Sequence, residues 1–282
     1  MFDRIARSWQ LAKASAAVLS ADKELLVFPL LSALASLLVL ATFAIPMFLT
    51  GLLEHAAAGD PAGRLLGAAL ALAFYVSQYF VIFFCNSALV GAAMIRLRGG
   101  DPTAGDGFRI ALSRLGPILG YAALAATVGM LLRALSRRGG PLARFVASLV
   151  GLAWSLATYL VVPVLVVEDV GPLEAVKRSA VYLKKTWGEQ IAGSVGLGLV
   201  FGVAFFALIV AGVAGLMLAA IAGSGALAAI VGVLLLLSLL LLALLSAALE
   251  GIYAAAVYRY AAEGKAEGFF PETLVRDAFA RS

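Results

Sequence analysis

The sequence predicts an all-α, polytopic membrane protein with six transmembrane helices and amphipathic interfacial helices ahead of the first, third and fifth. Three observations predict it. Hydrophobic residues make up 63% of the chain and charged residues 13%, with a mean hydropathy of +1.04, against about 45–50% and about 25% in an ordinary soluble domain. The apolar residues are gathered into long uncharged runs separated by short charged clusters, the pattern of a chain whose solvent is a bilayer. These runs are too long and too continuously apolar for barrel strands, so helices must satisfy the backbone.

In chain order, a polar amphipathic segment from Phe2 to Glu24 precedes a first span near 27–53. That run is too long for the core of a signal peptide, so it is read as retained. An outer loop with His55 leads to a second span near 65–95. A charged segment, Thr103 to Leu115, precedes a third span near 115–132, and an Arg-rich loop 133–144 joins it to a fourth near 145–167. The segment Pro172 to Gln190 follows, with Leu173, Val176, Ala180, Leu183 and Trp187 at steps of three or four residues against a basic face. Such a segment is expected to lie flat at the interface. Spans near 191–222 and 226–258 complete the set.

Charge sets the expected orientation, because cytoplasmic loops accumulate Lys and Arg. Of the 21 such residues, 16 fall on the side holding both termini and five on the other, which predicts an inner-membrane protein with both termini cytoplasmic. The discordant element is the third loop, whose Arg133, Arg137, Arg138 and Arg144 would lie outside; if the topology fails, it fails there, with the third and fourth spans re-entrant or inverted. The chain is expected to form one membrane domain, 1–282. Short echoes such as R-S-W-Q-L-A-K at Arg7 and K-R-S-A-V-Y-L-K at Lys177 divide it into three similar units, 1–100, 101–169 and 170–282. The alternative is that any cytoplasmic basic flank looks alike. Small residues four apart, at Ser87 and Gly91, Gly116 and Gly120, and Ser194, Gly198 and Gly202, mark expected helix contacts.

Several stretches together carry a family likeness: R-S-W-Q-L-A-K with D-K-E-L-L-V-F-P-L-L, F-F-C-N-S-A-L-V-G-A-A, V-V-P-V-L-V-V-E, A-V-K-R-S with K-T-W-G-E, and A-V-Y-R-Y-A. The chain resembles an uncharacterised bacterial and archaeal family of six-helix integral membrane proteins, a domain of unknown function. More distantly, E-x-x-G-P-x-E-A-x-x-R-S is similar to the membrane domain that accompanies some glycerophosphodiester phosphodiesterases. The chemistry of those proteins resides in a separate catalytic barrel, to which nothing in this chain corresponds.

An ionisable group in hydrocarbon costs about 2.5–3.5 kcal/mol on insertion scales and so needs a reason. Glu250 lies nine residues before Arg259, Asn86 ten before Arg96 and Thr158 ten before Glu168. Each even-numbered span thus offers a polar group at similar depth, a candidate site for a proton, cation or solute. The alternative reading is structural, with Glu250 neutral or snorkelling and Asn86 joining helices. Glu168, Asp169 and Glu174 beside Lys177 and Arg178 read as capping and ion-pairing groups. His55 with Glu54 and Asp60 makes a poor metal site, and Cys85, the sole cysteine, reads as a small packed hydrophobe. No metal and no cofactor is expected. Trp9, Trp187, Tyr253, Tyr258 and Tyr260 read as interfacial anchors. Arg7, Lys13, Arg109, Lys177, Arg178, Lys184 and Lys185 are candidate contacts for anionic lipid.

These observations favour a non-enzymatic protein that organises membrane lipids or partner proteins at the cytoplasmic interface, with no nucleic acid as partner. The competing class is a secondary transporter or channel using the Asn86, Thr158 and Glu250 layer. A transporter should show a cavity reaching Glu250, whereas a scaffold should bury that carboxyl in helix contacts.

Overall fold

The computed structural model describes residues 2–49, 61–138, 140–185 and 187–264, without the side chains of 2–9, 11–12, 61–62, 138, 185, 187–197 and 199. Among the described residues the chain is helical almost throughout and has no strand. The helices are α1 (Phe2–Ala21), α2 (Val27–Leu49), α3 (Pro61–Leu97), α4 (Ala104–Ser113), α5 (Leu115–Arg138), α6 (Pro141–Ala157), α7 (Val161–Val167), α8 (Pro172–Lys185), α9 (Trp187–Ile221) and α10 (Gly225–Glu263). A 3-10 turn, Lys23–Leu26, joins α1 to α2. Six stretches are long and apolar enough to cross a membrane: Lys23–Leu49, Gly63–Leu97, Leu115–Arg137, Pro141–Val167, Val200–Ile221 and Gly225–Glu263.

The core is concentrated at one end of the bundle. Along α3 the residues from Ala88 to Val90 and from Ala92 to Met94 are buried, and they meet Val18, Leu25, Phe28, Ile118, Val161, Val164, Leu165 and Ile252. The opposite halves of the spans display leucines such as Leu37, Leu38, Leu65, Leu131, Leu152, Leu236 and Leu237. Lipid tails are as apolar as these side chains, so their exposure is the expected state of a bilayer-facing surface. Helix α3 occupies the centre, in contact with α2, α4, α5, α7 and α10.

Three further helices complete the packed end. Helix α4 begins with a reciprocal cap: the Asp106 amide donates to Thr103 Oγ1 at 3.2 Å and the Thr103 amide donates to Asp106 Oδ2 at 3.0 Å. Glu24 accepts from the next unsatisfied amide, that of Ala104, at 2.9 Å, and so ties the first span to this helix. Gly107 is required by that approach, because a Cβ there would stand 2.6 Å from the Ala88 carbonyl oxygen. In α8 the buried positions are Ala175, Ser179 and Leu183, whereas Leu173 and Val181 are exposed. Of the predicted apolar stripe, Leu183 is buried and Val176 packs on the core while Leu173 is exposed, and the small residues Ala175 and Ser179 complete the inward face because α8 packs closely on α7, α6 and α5.

Other expectations also change. The fourth span is broken, not continuous: α6 ends at Ala157 and α7 starts at Val161. Pro163 is the physical reason, since it has no amide hydrogen and its ring clashes with the carbonyl four residues back, that of Tyr159. The break leaves the Leu160 amide without a helical acceptor, and the buried Ser179 hydroxyl accepts it at 3.0 Å. The Arg-rich third loop is mostly helix, with Arg133 and Arg137 on the last turns of α5 and Arg144 on the first turn of α6. Both of these helices belong to stretches long enough to cross. Gly198 and Gly202 are exposed, with no described atom within 4 Å of a Cβ placed there. Of the predicted positions, Gly91 closes on Ile110 and Gly120 on Pro172, and further close approaches occur at Gly212 against Leu235 and Gly251 against Leu89. Gly116 meets nothing. The side chains of Arg7, Trp9, Lys185, Trp187 and Ser194, and residues His55, Glu54 and Asp60, lie outside the described residues.

Replacing Ser179 with Ala should leave the Leu160 amide buried and unsatisfied, at a cost of about 1–3 kcal/mol. Thermal unfolding in detergent should place this variant well below Ser113→Ala, whose exposed hydroxyl bonds only its own helix.

Candidate functional site

Two polar constructions stand near the packed end. The first is a cavity of about 470 Å³ among α2, α3 and α10, within the usual range of about 300–1,000 Å³ for small-molecule sites. Helix α3 contributes Ile82, Cys85, Asn86 and Leu89, helix α10 contributes Ala247, Glu250, Gly251 and Ala254, and α2 contributes Phe28, Pro29 and Ser32. Tyr159 reaches it from the break between α6 and α7.

Gly251 sets the geometry. A Cβ at this position would stand 2.4 Å from Leu89 Cδ2 and 3.1 Å from Asn86 Oδ1, so α10 and α3 meet without a side chain between them. Glu250, next in sequence, is carried to the edge of that contact and is exposed to the cavity. Its Oε1 accepts from the Ser246 hydroxyl at 3.2 Å. The Asn86 amide and the Tyr159 hydroxyl have no hydrogen-bond partner among the described residues, and Ser32 and Cys85 line the same cavity. The cavity therefore presents one carboxylate, one amide and one phenol to whatever occupies it.

Of the three residues predicted to form a layer, the structure brings Asn86 and Glu250 to one cavity and sets Thr158 aside. The Thr158 hydroxyl donates to the Trp154 carbonyl at 2.8 Å, within its own helix end. Tyr159, one residue on, lines the cavity instead. Spacing from Glu168 located the right depth, but a helix break rotates side chains by an amount that residue counting does not carry. Pro163 was the available signal for that break.

The second construction is a network of charges that ties the helix ends together. Glu168 accepts from Tyr182 at 2.8 Å, from Tyr258 at 2.9 Å and from Arg178. Asp169 pairs with Arg114, and Asp22 pairs with Arg96, which also donates to Asp101 at 2.6 Å. Arg98 donates to Glu263 at 2.6 Å, and Arg259 donates to the Leu97 carbonyl. Tyr253 and Tyr258 are buried in protein, so they are not the lipid-facing anchors the sequence predicted. Arg178 is engaged by Glu168 and Glu174. Arg109, Lys177 and Lys184 are exposed, the first two with weaker pairs to Asp106 at 3.1 Å and Glu174 at 3.8 Å. Lys13 is exposed on α1. Among the described residues no group of three or more His, Cys, Asp or Glu side chains has metal-ligand geometry.

Burial pushes the Glu168 carboxyl upward, but the hydrogen bonds from Arg178, Tyr182 and Tyr258 together outweigh it and hold the group below its ordinary value. Burial, then the neighbouring Glu168, raises the Tyr182 hydroxyl.

The family described as "Family of unknown function (DUF6159)" matches residues 65–269, the larger part of the chain. No curated protein matches it.

A depressed carboxyl stabilises the folded state above its unfolded value, 4.5, and that contribution is lost as pH falls through the lower folded value. The gap in unfolding temperature between the native chain and Glu168→Gln should therefore be constant from neutral pH down to about 5 and narrow below that. A gap that does not change with pH would remove the carboxylate from this account.

Proposed function

We propose, for a chain that belongs to the family of unknown function DUF6159, that this multi-pass membrane protein holds a small solute in the Glu250 cavity and serves as a transporter or channel. The observation that carries this reading is the convergence of Glu250, Asn86 and Tyr159 on one cavity of about 470 Å³. A structural carboxyl would be closed into helix contacts, whereas Glu250 faces an opening and, among the described residues, has Ser246 as its only hydrogen-bond partner. Intramembrane carboxylates beside interrupted helices are a recurrent way to hold a proton or cation at mid-depth, and Tyr159 stands at such an interruption.

In this reading the ionic end is cytoplasmic, as the distribution of Lys and Arg favours, and the protein resides in the inner membrane with both termini inside. The function is non-enzymatic: one carboxylate, one amide and one phenol in the cavity suit binding. The phosphodiesterase activity of the distantly similar proteins is not part of the proposal. A second reading, organisation of anionic lipid or partner proteins, is supported by the exposure of Arg109, Lys177 and Lys184 on α4 and α8. The two readings are compatible, because none of these residues lines the cavity.

Native mass spectrometry of gently purified protein should find a small solute on the native chain that is absent from Glu250→Gln. Retention of phospholipid alone, in equal amount on both, would overturn the solute reading and leave the lipid-organising one.

A further inference from the structure

We infer that the occupant of the cavity is an organic ammonium ion with an apolar body, entering from the hydrocarbon layer between α2 and α10; this deepens the solute-binding reading and rests on it. The charge follows from the lining. Glu250 is the one ionisable carboxylate among the lining residues, and no Lys, Arg or His lines the cavity to receive an anion.

An inorganic cation fits poorly. A hard divalent ion needs about six to eight oxygen ligands at short range, and Glu250, Asn86, Tyr159 and Ser32 stand among Phe28, Pro29, Ile82 and Leu89. A primary ammonium asks for less: a negative partner and two or three acceptors, which the Glu250 carboxylate, the Asn86 Oδ1 and the Tyr159 hydroxyl oxygen provide. The apolar walls then take a hydrocarbon substituent, and the rings of Phe28 and Tyr159 add the negative face that attracts a weakly hydrated cation.

The route follows from exposure. Ile82, Ala247 and Glu250 are the exposed lining residues, and all three lie within stretches long and apolar enough to span. Glu250 stands nine residues before Arg259, roughly 13 Å from the ionic end at 1.5 Å per residue. Helices α2 and α10 both lie against α3 and touch each other, and the cavity opens among the three. A mouth at that depth faces lipid, so its ligand is one that partitions into lipid.

Cys85 lines the same cavity and is the sole cysteine of the chain, which makes it a reporter. In nanodiscs of zwitterionic lipid, Cys85 would be modified with aminoethyl, sulfonatoethyl or uncharged methyl methanethiosulfonate and followed by intact mass. The aminoethyl reagent is expected to react on the order of tenfold or more faster than the sulfonate, as a negatively charged cleft dictates. Octylammonium should slow it, while octanol and octanoate at equal concentration should not. Glu250→Gln should collapse both the charge preference and the protection. Equal rates for the two charged reagents, or equal protection by octanol, would overturn the ammonium assignment while leaving a solute cavity in place. Failure of even the uncharged reagent to reach Cys85 would overturn the cavity reading itself. The octylammonium competition on the native chain stands without the variant, should that variant fail to fold.

Discussion

Inside a bilayer a helix that ends, breaks or turns must find protein partners for its polar groups, and Glu168 is where this chain meets that demand most fully. Its carboxylate closes the fourth span and accepts from two residues of α8 and one of α10. Elements far apart in sequence are thereby held at fixed mutual position. Because α10 is a continuous helix from Ser246 through Tyr258, fixing Tyr258 also fixes Glu250 two turns earlier. The Arg259 bond to the Leu97 carbonyl and the pairing of Arg96 with Asp22 do the same for α3 and the first span. The cavity is thus a by-product of anchoring: α3 and α10 are held together at Gly251, and α2 packs against both, leaving the cavity among the three.

The division between what was legible in the sequence and what was not follows physical lines. Six spans were legible because transfer of apolar runs into lipid is large, additive and local in sequence. The helix before each odd-numbered span was visible as charge and periodicity, but the face that α8 turns to the bundle was visible only in part. Hydrophobicity selects Leu173, whereas close packing selects Ala175 and Ser179. The pairing of Arg178 with Glu168 and Glu174 was legible because the partners are local, whereas Arg96, Arg98 and Arg114 were legible only as an orientation signal, since their partners Asp22, Glu263 and Asp169 lie tens of residues away or more. Asn86 and Glu250 could be suspected from their cost in hydrocarbon. Tyr159 could not, because a tyrosine in a span carries no such penalty and its direction depends on the break.

That break joins the two constructions. Pro163 interrupts the ladder, Ser179 of α8 supplies the missing acceptor, and Tyr159 is turned into the cavity. A continuous helix would have carried Tyr159 to a face set by the regular periodicity of α6, and α8 would have had no polar reason to seat Ser179 against Leu160. The same break that is satisfied by α8 therefore also shapes the cavity lining.

The uneven distribution of the core has a further consequence. At the ionic end the helices are interlocked by buried side chains and charges, whereas their far halves display many exposed leucines and meet through fewer buried side chains. Exchanging a helix neighbour for an acyl chain there changes almost nothing in contact energy. The bundle is thus built like tongs, with a riveted pivot and compliant arms. A bilayer that thins, thickens or changes its lateral pressure acts on the arms, and the leverage is felt just inside the pivot, where the cavity lies.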